Sequence, residues 1–448
     1  MYWYMKTTRF QAAFLVLSSA LLPACNFKFE LQADASISVG DRLPDPDIWI
    51  DEPPALSDKQ QARQAEVDAY LVEQYKEHKI LGTTQGYSGD IYDWVDSSLM
   101  PTVELPALPW KPEDLVLPEG IQLSQSELNK FPELRGPQGS TPLLRPDFSA
   151  YVMGGTSAVS LQDYLEHHQV LGMPADQDRL YAGLDLVEPN NGISAVVNHY
   201  AGEVEENTFS LVELSVACPA VGEVQELIGV MIAINRVNFD RDLKKGEVAK
   251  PRIHVEYARQ VNGELRGVYN LSGPGFNPNR IDPKTWDKNI PFPKRTVLGG
   301  EADVSEPNGV QYEHRFDLFQ GPNGDWWVGY NWELLGHYPA SLFSMLNKGA
   351  CRAHFYSEVY DGTPQDWTST DMGSGLWPSA GANQVAYIRR PAYRAPVWVE
   401  WEVPLDRDNF SDPQDEACYM RTKLETGGPF VGNYFFYTGP GGDSEGCD

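Results

Sequence analysis

Beyond Gly192 apolar and polar residues alternate in one strand-length run after another. The runs are ISAVVNHYAG, TFSLVELSVAC, LIGVMIAINRV, RIHVEYAR, QYEHRFDLFQ, WWVGYNWELLG, RAHFYSEVY, ANQVAYIRR and APVWVEWEV. A period of two marks strands with one face in a core. Turn residues separate the runs: Gly222-Glu223, Asn262-Gly263, Asn308-Gly309 and Asn323-Gly324. Asn-Gly suits the tight turn of a hairpin, because both positions adopt positive φ cheaply. One helix is expected at 340–346, after Tyr338-Pro339. Many antiparallel strands with few helices predict an all-β fold, an antiparallel β-sandwich. No fixed-period repeat is present, which argues against a propeller or solenoid.

Upstream the pattern differs. Residues 58–80 read as a helix with a stripe of Val67, Tyr70, Leu71, Tyr75 and Ile80, capped by Ser57 or Asp58 and ended at Gly82. GDIYDWVD reads as a short strand. Prolines 137, 142 and 146 then favour extended backbone lying on another surface. A second helical piece is expected at 160–170, and residues 181–188 read as a linker. This N-terminal region is therefore mixed and partly extended.

The leader changes the picture most. Lys6 and Arg9 precede an apolar run, residues 12–22, ending in Leu22-Pro23-Ala24-Cys25. That layout is a secretory signal. Its end resembles the bacterial lipobox, which implies cleavage before Cys25 and a lipid on its sulfur. Residues 1–24 are then a signal peptide and 25–57, rich in Asp and Pro, a flexible tether. The expected location is the bacterial cell envelope, lipid-anchored at the outer membrane or cell surface. The formal net charge of −28 argues against nucleic acid as a partner, since phosphate binding needs clustered Lys and Arg. Cys218, Cys351, Cys418 and Cys447 suit two disulfides in an oxidising compartment, with the pairing open.

Candidate chemistry converges on residues 324–375, an aromatic-rich stretch with Glu358 near its centre. An apolar wall disfavours a charged carboxylate and raises its pKa. Other devices are poorly supported. There is no phosphate loop, dinucleotide fingerprint or HExxH, and the Gly373-Ser374-Gly375 spacing does not match a nucleophile elbow. Cys351 and His354 stand on opposite faces of a strand, and the cysteines and histidines lack zinc spacing. Paired carboxylates remain, one activating water and the other protonating a leaving group. No cofactor or metal is expected.

Several blocks together resemble the neprosin family of glutamic peptidases. They are Asp325-Trp326-Trp327-Val328-Gly329, Glu333-Leu334-Leu335-Gly336-His337-Tyr338-Pro339-Ala340-Ser341-Leu342-Phe343, Ser357-Glu358-Val359, and Thr368-Ser369-Thr370-Asp371-Met372-Gly373-Ser374-Gly375. Phe209-Ser210-Leu211, Tyr269-Asn270-Leu271 with Gly275-Phe276, and Ala386-Tyr387-Ile388-Arg389 agree in order. Residues 89–96 and 136–142 resemble the family's N-terminal activation segment. The resemblance covers roughly residues 86–395. It implies a β-sandwich peptidase with a removable or inhibitory N-terminal segment, working through two glutamates without a metal. Characterised relatives cleave next to proline at acid pH.

On that resemblance Glu358 takes the second catalytic position, although Phe355-Tyr356-Ser357 replace the Trp-Gly-Gly expected before it. For the first position Glu226 is the nearest acid, about two residues from the aligned Ile228, and Glu213 is the runner-up. A two-residue offset keeps Glu226 on the face of residue 228. The family's cysteines around Tyr-Asn-Leu are replaced by Val268 and Ser272. The expected organisation is an activation-segment-like region at 58–185, a sandwich at 190–397 and a C-terminal extension at 398–448. The expected function is a cell-envelope glutamic endopeptidase cleaving near proline, with a peptide or protein as substrate and the membrane reached through the lipid. The alternative is a catalytically degenerate surface lipoprotein using the sandwich to bind peptide or glycan. A glycoside-acting sandwich enzyme is a third reading, since carboxylate pairs and aromatic grooves also serve sugars.

Overall fold

The computed structural model describes residues 56–76, 78–100, 116–146, 148–154, 159–161, 179–206, 208–220, 223–236, 249–261, 264–269, 276–278, 296–360, 368–395, 400–405, 410–411, 418–443 and 446–447. The leader, Cys25, the tether before residue 56, nearly all of the expected 160–170 helix and the Asn262-Gly263 turn lie outside them.

The N-terminal region opens with helix α1 (Asp58–Gln74). Ser57 caps it in a reciprocal box: its hydroxyl accepts from the Gln60 N–H, and its own N–H donates to the Gln60 side chain. The helix stops short of the expected residue 80, because Ile80 begins a strand. Strands β1 (Ile80–Gln85), β2 (Ile91–Asp96), β3 (Ile121–Leu123) and β4 (Ser140–Leu144) follow. β1, β2 and β4 form a small antiparallel sheet. Its centre is Trp94, fully buried, with Gly136 lying flat on its ring where a Cβ would come within 2.1 Å. β4 is the proline-bearing stretch expected to lie extended on another surface; the surface is β2.

The remaining strands build the sandwich. They are β5 (Arg179–Leu186), β6 (Gly192–Asn198), β7 (Phe209–Ala220), β8 (Glu223–Asn235), β9 (Arg252–Val261), β10 (Glu264–Tyr269), β11 (Asn277–Pro278), β12 (Gln311–Gln320), β13 (Trp326–Tyr330), β14 (Glu333–Tyr338), β15 (Arg352–Tyr360), β16 (Tyr387–Arg394), β17 (Glu400–Glu402), β18 (Phe410–Ser411), β19 (Met420–Arg421), β20 (Glu425–Thr426) and β21 (Asn433–Thr438). One sheet runs β10-β9-β8-β7-β15-β5-β18. The other runs β11-β14-β13-β12-β6-β16-β21-β19, with β3, β17 and β20 joined at its sides. The expected all-β sandwich is the fold.

Between the sheets lies one apolar core. Val212, Leu214 and Val216 of β7 and Ile228, Val230 and Ile232 of β8 meet Ile193, Ala195 and Val197 of β6, Phe316 and Leu318 of β12, and Trp326 and Val328 of β13. Each such side chain, once buried, contributes roughly 1.5–3 kcal/mol. Within each strand the core residues alternate with others that must face outward.

Four expectations are corrected. Residues 181–188 are no linker: β5 is paired on both sides, with Leu180, Ala182, Leu184 and Leu186 turned to the core. WWVGYNWELLG is two strands, because Asn331 and Trp332 take positive φ (45° and 64°) and turn the chain back. The expected helix at 340–346 is a single 3₁₀ turn, Ala340–Leu342. The described residues from 400 onward, expected as an extension, join the sandwich, where Phe435 and Tyr437 enter the core and β21 pairs with β16. A disulfide joins Cys218 at the end of β7 to Cys351 before β15, and Cys418 is also disulfide-bonded.

Among the contacts that tie the N-terminal region to the sandwich, two involve its strands. β3 runs parallel to Gln311–Glu313 of β12, beyond the end of β13. At the other place the β1–β2 turn meets β9: Arg252 pairs bidentately with Asp90 (2.9 and 3.0 Å), and Lys250 donates to the Ser88 carbonyl.

Candidate active site

The antiparallel register assigns side chains to faces without ambiguity, because directly paired residues share a face. On β15, Ala353, Phe355 and Val359 belong to the core, so His354, Tyr356, Glu358 and Tyr360 stand on the outer face. Glu358 pairs with Leu211 on β7 and Tyr181 on β5. The same face therefore carries Phe209, Leu211, Glu213 and Ser215 of β7, Leu227, Gly229, Met231 and Ala233 of β8, and Arg252, His254 and Glu256 of β9.

Three glutamates thus meet on one sheet face. Glu213 is the diagonal neighbour of Glu358, one row along the adjacent strand. Glu256 approaches from β9 across Gly229. That glycine explains how two bulky acids fit. A Cβ at residue 229 would lie 2.3 Å from Glu213 Oε1 and 3.3 Å from Glu256 Cγ. Glycine inside a strand leaves room for such an approach. Glu358 and Glu213 are 2% and 1% exposed, while Glu256, Tyr181 and Tyr356 are half-buried at the rim.

The environments of the three differ. Burial raises the pKa of Glu358, but the Arg179 guanidinium opposes it by charge and by a hydrogen bond from Nη1 to Oε1. For Glu256, burial and the Glu358 charge outweigh Arg179 and push its pKa up to about 7. Glu213 is raised well above its ordinary range by burial and by both other glutamates. Its Oε1 has no hydrogen-bond partner among the described residues. Like charges in a poorly solvated space cannot all ionise, so the proton is lost first where the cation stands. Glu358 is the site's carboxylate, and Glu256 and Glu213 retain protons longer. That is the division general acid–base chemistry requires.

Arg179 is itself fixed from below. Phe209 and Tyr360 stack with centroids 5.2 Å apart, and the guanidinium carbon lies 5.5 and 5.8 Å from the two centroids. Cation–π attraction on this platform orients the charge. Tyr181 and Tyr356 pack edge to face beside Glu358, with centroids 5.7 Å apart.

Glu226 lies elsewhere. Even-numbered residues of β8 face the core side, so Glu226 and the aligned Ile228 are on the face opposite Glu358. The Glu226 carboxylate accepts from the Ser344 N–H and hydroxyl (2.6 Å each) and from the Met345 and Leu346 N–H groups (2.8 Å each). Burial alone would raise its pKa; those donors outweigh it and hold the group ionised, below its ordinary range. The Leu346 carbonyl in turn accepts from Trp326 Nε1 (2.8 Å). Glu226 staples a turn, and the structure does not bring it to Glu358. It brings Glu213 there instead, with Glu256 and Arg179, neither of which the sequence reading singled out. The signal for Glu256 was present: Arg252, His254 and Glu256 alternate with core-facing Ile253, Val255 and Tyr257. Among the described residues no group of three or more His, Cys, Asp or Glu could hold a metal ion.

An antiparallel β-sandwich with acids collected on one buried sheet face defines the class of protein. Residues 249–440 match the Neprosin family model. The match contains Glu256 and Glu358 and continues through β21. It supports a peptidase-like function. Several solved structures are also similar in fold. Scytalido-glutamic peptidase with a transition-state analog inhibitor is 8% identical over 61% of this chain and 100% of that chain, with a TM-score of 0.32. SCP-B, a member of the Eqolisin family of peptidases, in a complex with the tripeptide Ala-Ile-His, is 6% identical over 58% and 98%, with a TM-score of 0.26. The kappa-carrageenase from Pseudoalteromonas carrageenovora with an oligotetrasaccharide is 10% identical over 41% and 55%, with a TM-score of 0.21.

Proposed function

We propose that this chain is a glutamic endopeptidase in which Glu358 is the general base and Glu256 the general acid. The observation that carries this reading is the hydrogen-bonded Arg179–Glu358 pair beside two acids whose pKa values are raised despite that cation. Glu358 takes a proton from water, and the water oxygen attacks the peptide carbonyl carbon. The π-electron pair moves to the carbonyl oxygen. Glu256 then gives its proton to the amide nitrogen as the C–N bond breaks, releasing an acid and an amine. Transfer of the proton from Glu358 to Glu256 resets the pair. Glu213 supports the proton-bearing state of Glu256 through their shared space over Gly229. Tyr181, Tyr356 and Glu256 form the accessible rim for an extended peptide, with cleavage near proline expected from the family resemblance.

The test is incubation with a proline-containing peptide from about pH 3 to 8, with products identified by mass. Cleavage lost in Glu358→Gln and Glu256→Gln, and kept in Glu226→Gln, supports the assignment. A folded chain, freed of its N-terminal region, that cleaves no peptide sinks it and leaves the sandwich as a peptide- or glycan-binding module. The cellular setting proposed here is lipid anchorage through Cys25 in a bacterial envelope. Membrane partitioning that survives Cys25→Ser would overturn that part.

A further inference from the structure

Resting on the peptidase reading, we infer that Arg179 is a further catalytic residue: while Nη1 holds Glu358, Nε and Nη2 receive the oxyanion that forms on the scissile carbonyl. A guanidinium carries five N–H donors in a rigid fork. In this one, the donor at Nη1 is committed to Glu358 Oε1. Among the described residues Nε and Nη2 are buried with no acceptor at hydrogen-bond geometry, although the Tyr181 hydroxyl interacts with the guanidinium, and the residue as a whole is 6% exposed. Buried donors are almost always paired, so two unpaired ones beside the attacking base mark a place where an oxygen is expected.

The position suits that oxygen. The water activated by Glu358 and the carbonyl carbon it attacks must both lie next to Glu358. The carbonyl oxygen then falls within reach of the guanidinium that grips the same carboxylate. A full positive charge in a poorly solvated site favours the oxyanion over the ground-state carbonyl. The Phe209–Tyr360 stack keeps the fork from turning away. Tyr181, whose hydroxyl lies beside Arg179, is the second polar group at this spot. The electron balance is that of the hydrolysis above: the carbonyl pair resides on oxygen in the intermediate and returns as the C–N bond breaks. Arg179 exchanges no proton.

The experiment compares wild type, Arg179→Met and Arg179→Lys, each at its own pH optimum, so that a changed Glu358 titration is separated from a lost oxyanion contact. Arg179→Met is expected to lose on the order of 10²–10³ in kcat with KM little changed. Its affinity for a phosphinate peptide, an anionic tetrahedral mimic, should fall by a similar factor, while affinity for the parent peptide holds. Guanidinium added to Arg179→Ala should restore part of kcat. A Met variant within about threefold of wild-type kcat at its own optimum overturns the inference and leaves the peptidase reading intact. Should the Met variant fail to fold, the Lys variant decides. Its point charge cannot serve Glu358 and the oxyanion together, so wild-type kcat there overturns the inference and a tenfold or larger loss with KM held supports it. A wild-type chain that cleaves nothing fails earlier, at the peptidase reading, and the inference falls with it.

Discussion

Glu226 and Glu358 stand on opposite faces of the same sheet, separated by the parity of one strand. Their fates differ accordingly. Glu226 is held ionised by four donors around the 344–346 turn. Glu358 shares a poorly solvated face with two other acids and is held there by Arg179.

A first prediction separates them. Glu358→Gln is expected to lower kcat by 10²-fold or more, about 3 kcal/mol of transition-state stabilisation, and to lower the melting temperature as well, because the buried Arg179 charge loses its partner. Glu226→Ala is expected to leave kcat near wild type but to cost about 1–3 kcal/mol of stability, because the buried Leu346 N–H and the part-buried N–H groups of Ser344 and Met345 lose their acceptor. Peptide cleavage and thermal unfolding of both variants check this.

Gly229 provides a second. A methyl group there collides with Glu213 Oε1 at 2.3 Å, so Gly229→Ala should destabilise by about 1–3 kcal/mol. Much of that cost should vanish when Glu213 is also alanine, because the colliding atom is gone. A double-mutant cycle on unfolding free energy reads the coupling directly. Simple additivity would contradict the packing described.

The third concerns pH. The folded-state pKa of Glu256 is raised, from an ordinary value of 4.5 to about 7. A raised acid binds its proton more tightly in the folded chain. Its contribution to stability is therefore complete below about pH 4.5 and is lost as pH rises through about 7. Glu256→Gln should flatten the fall in stability across that window, measured by denaturant titration at several pH values. A variant with the wild-type slope would contradict the assignment.

The fourth concerns the Cys218–Cys351 disulfide, which spans 133 residues and fastens β7 to β15, the strands of Glu213 and Glu358. Replacing both with alanine should cost about 2–4 kcal/mol through the released chain entropy of the unfolded state. Activity per folded molecule should also drop, as the two strand ends loosen. Equilibrium unfolding and active-site titration check the two effects separately.

Period-two alternation was enough to predict the strands and the sandwich, since one face of each strand must leave water. The aromatic stretch and its Ser357-Glu358-Val359 block were enough to locate half of a site, because those residues are adjacent in the chain. The other half was decided only by tertiary structure. β8 reads LIGVMIAI, apolar on both faces, so its sequence carries no sign of which side meets the core, and the parity that separates Glu226 from Glu358 could not be read. Arg179 stands just before a segment taken for a linker, with no local mark of its partner 179 positions away. Glu213 and Glu256 became neighbours because Gly229 left a gap between their strands. Such a gap is a property of register and packing, and single residues do not announce it.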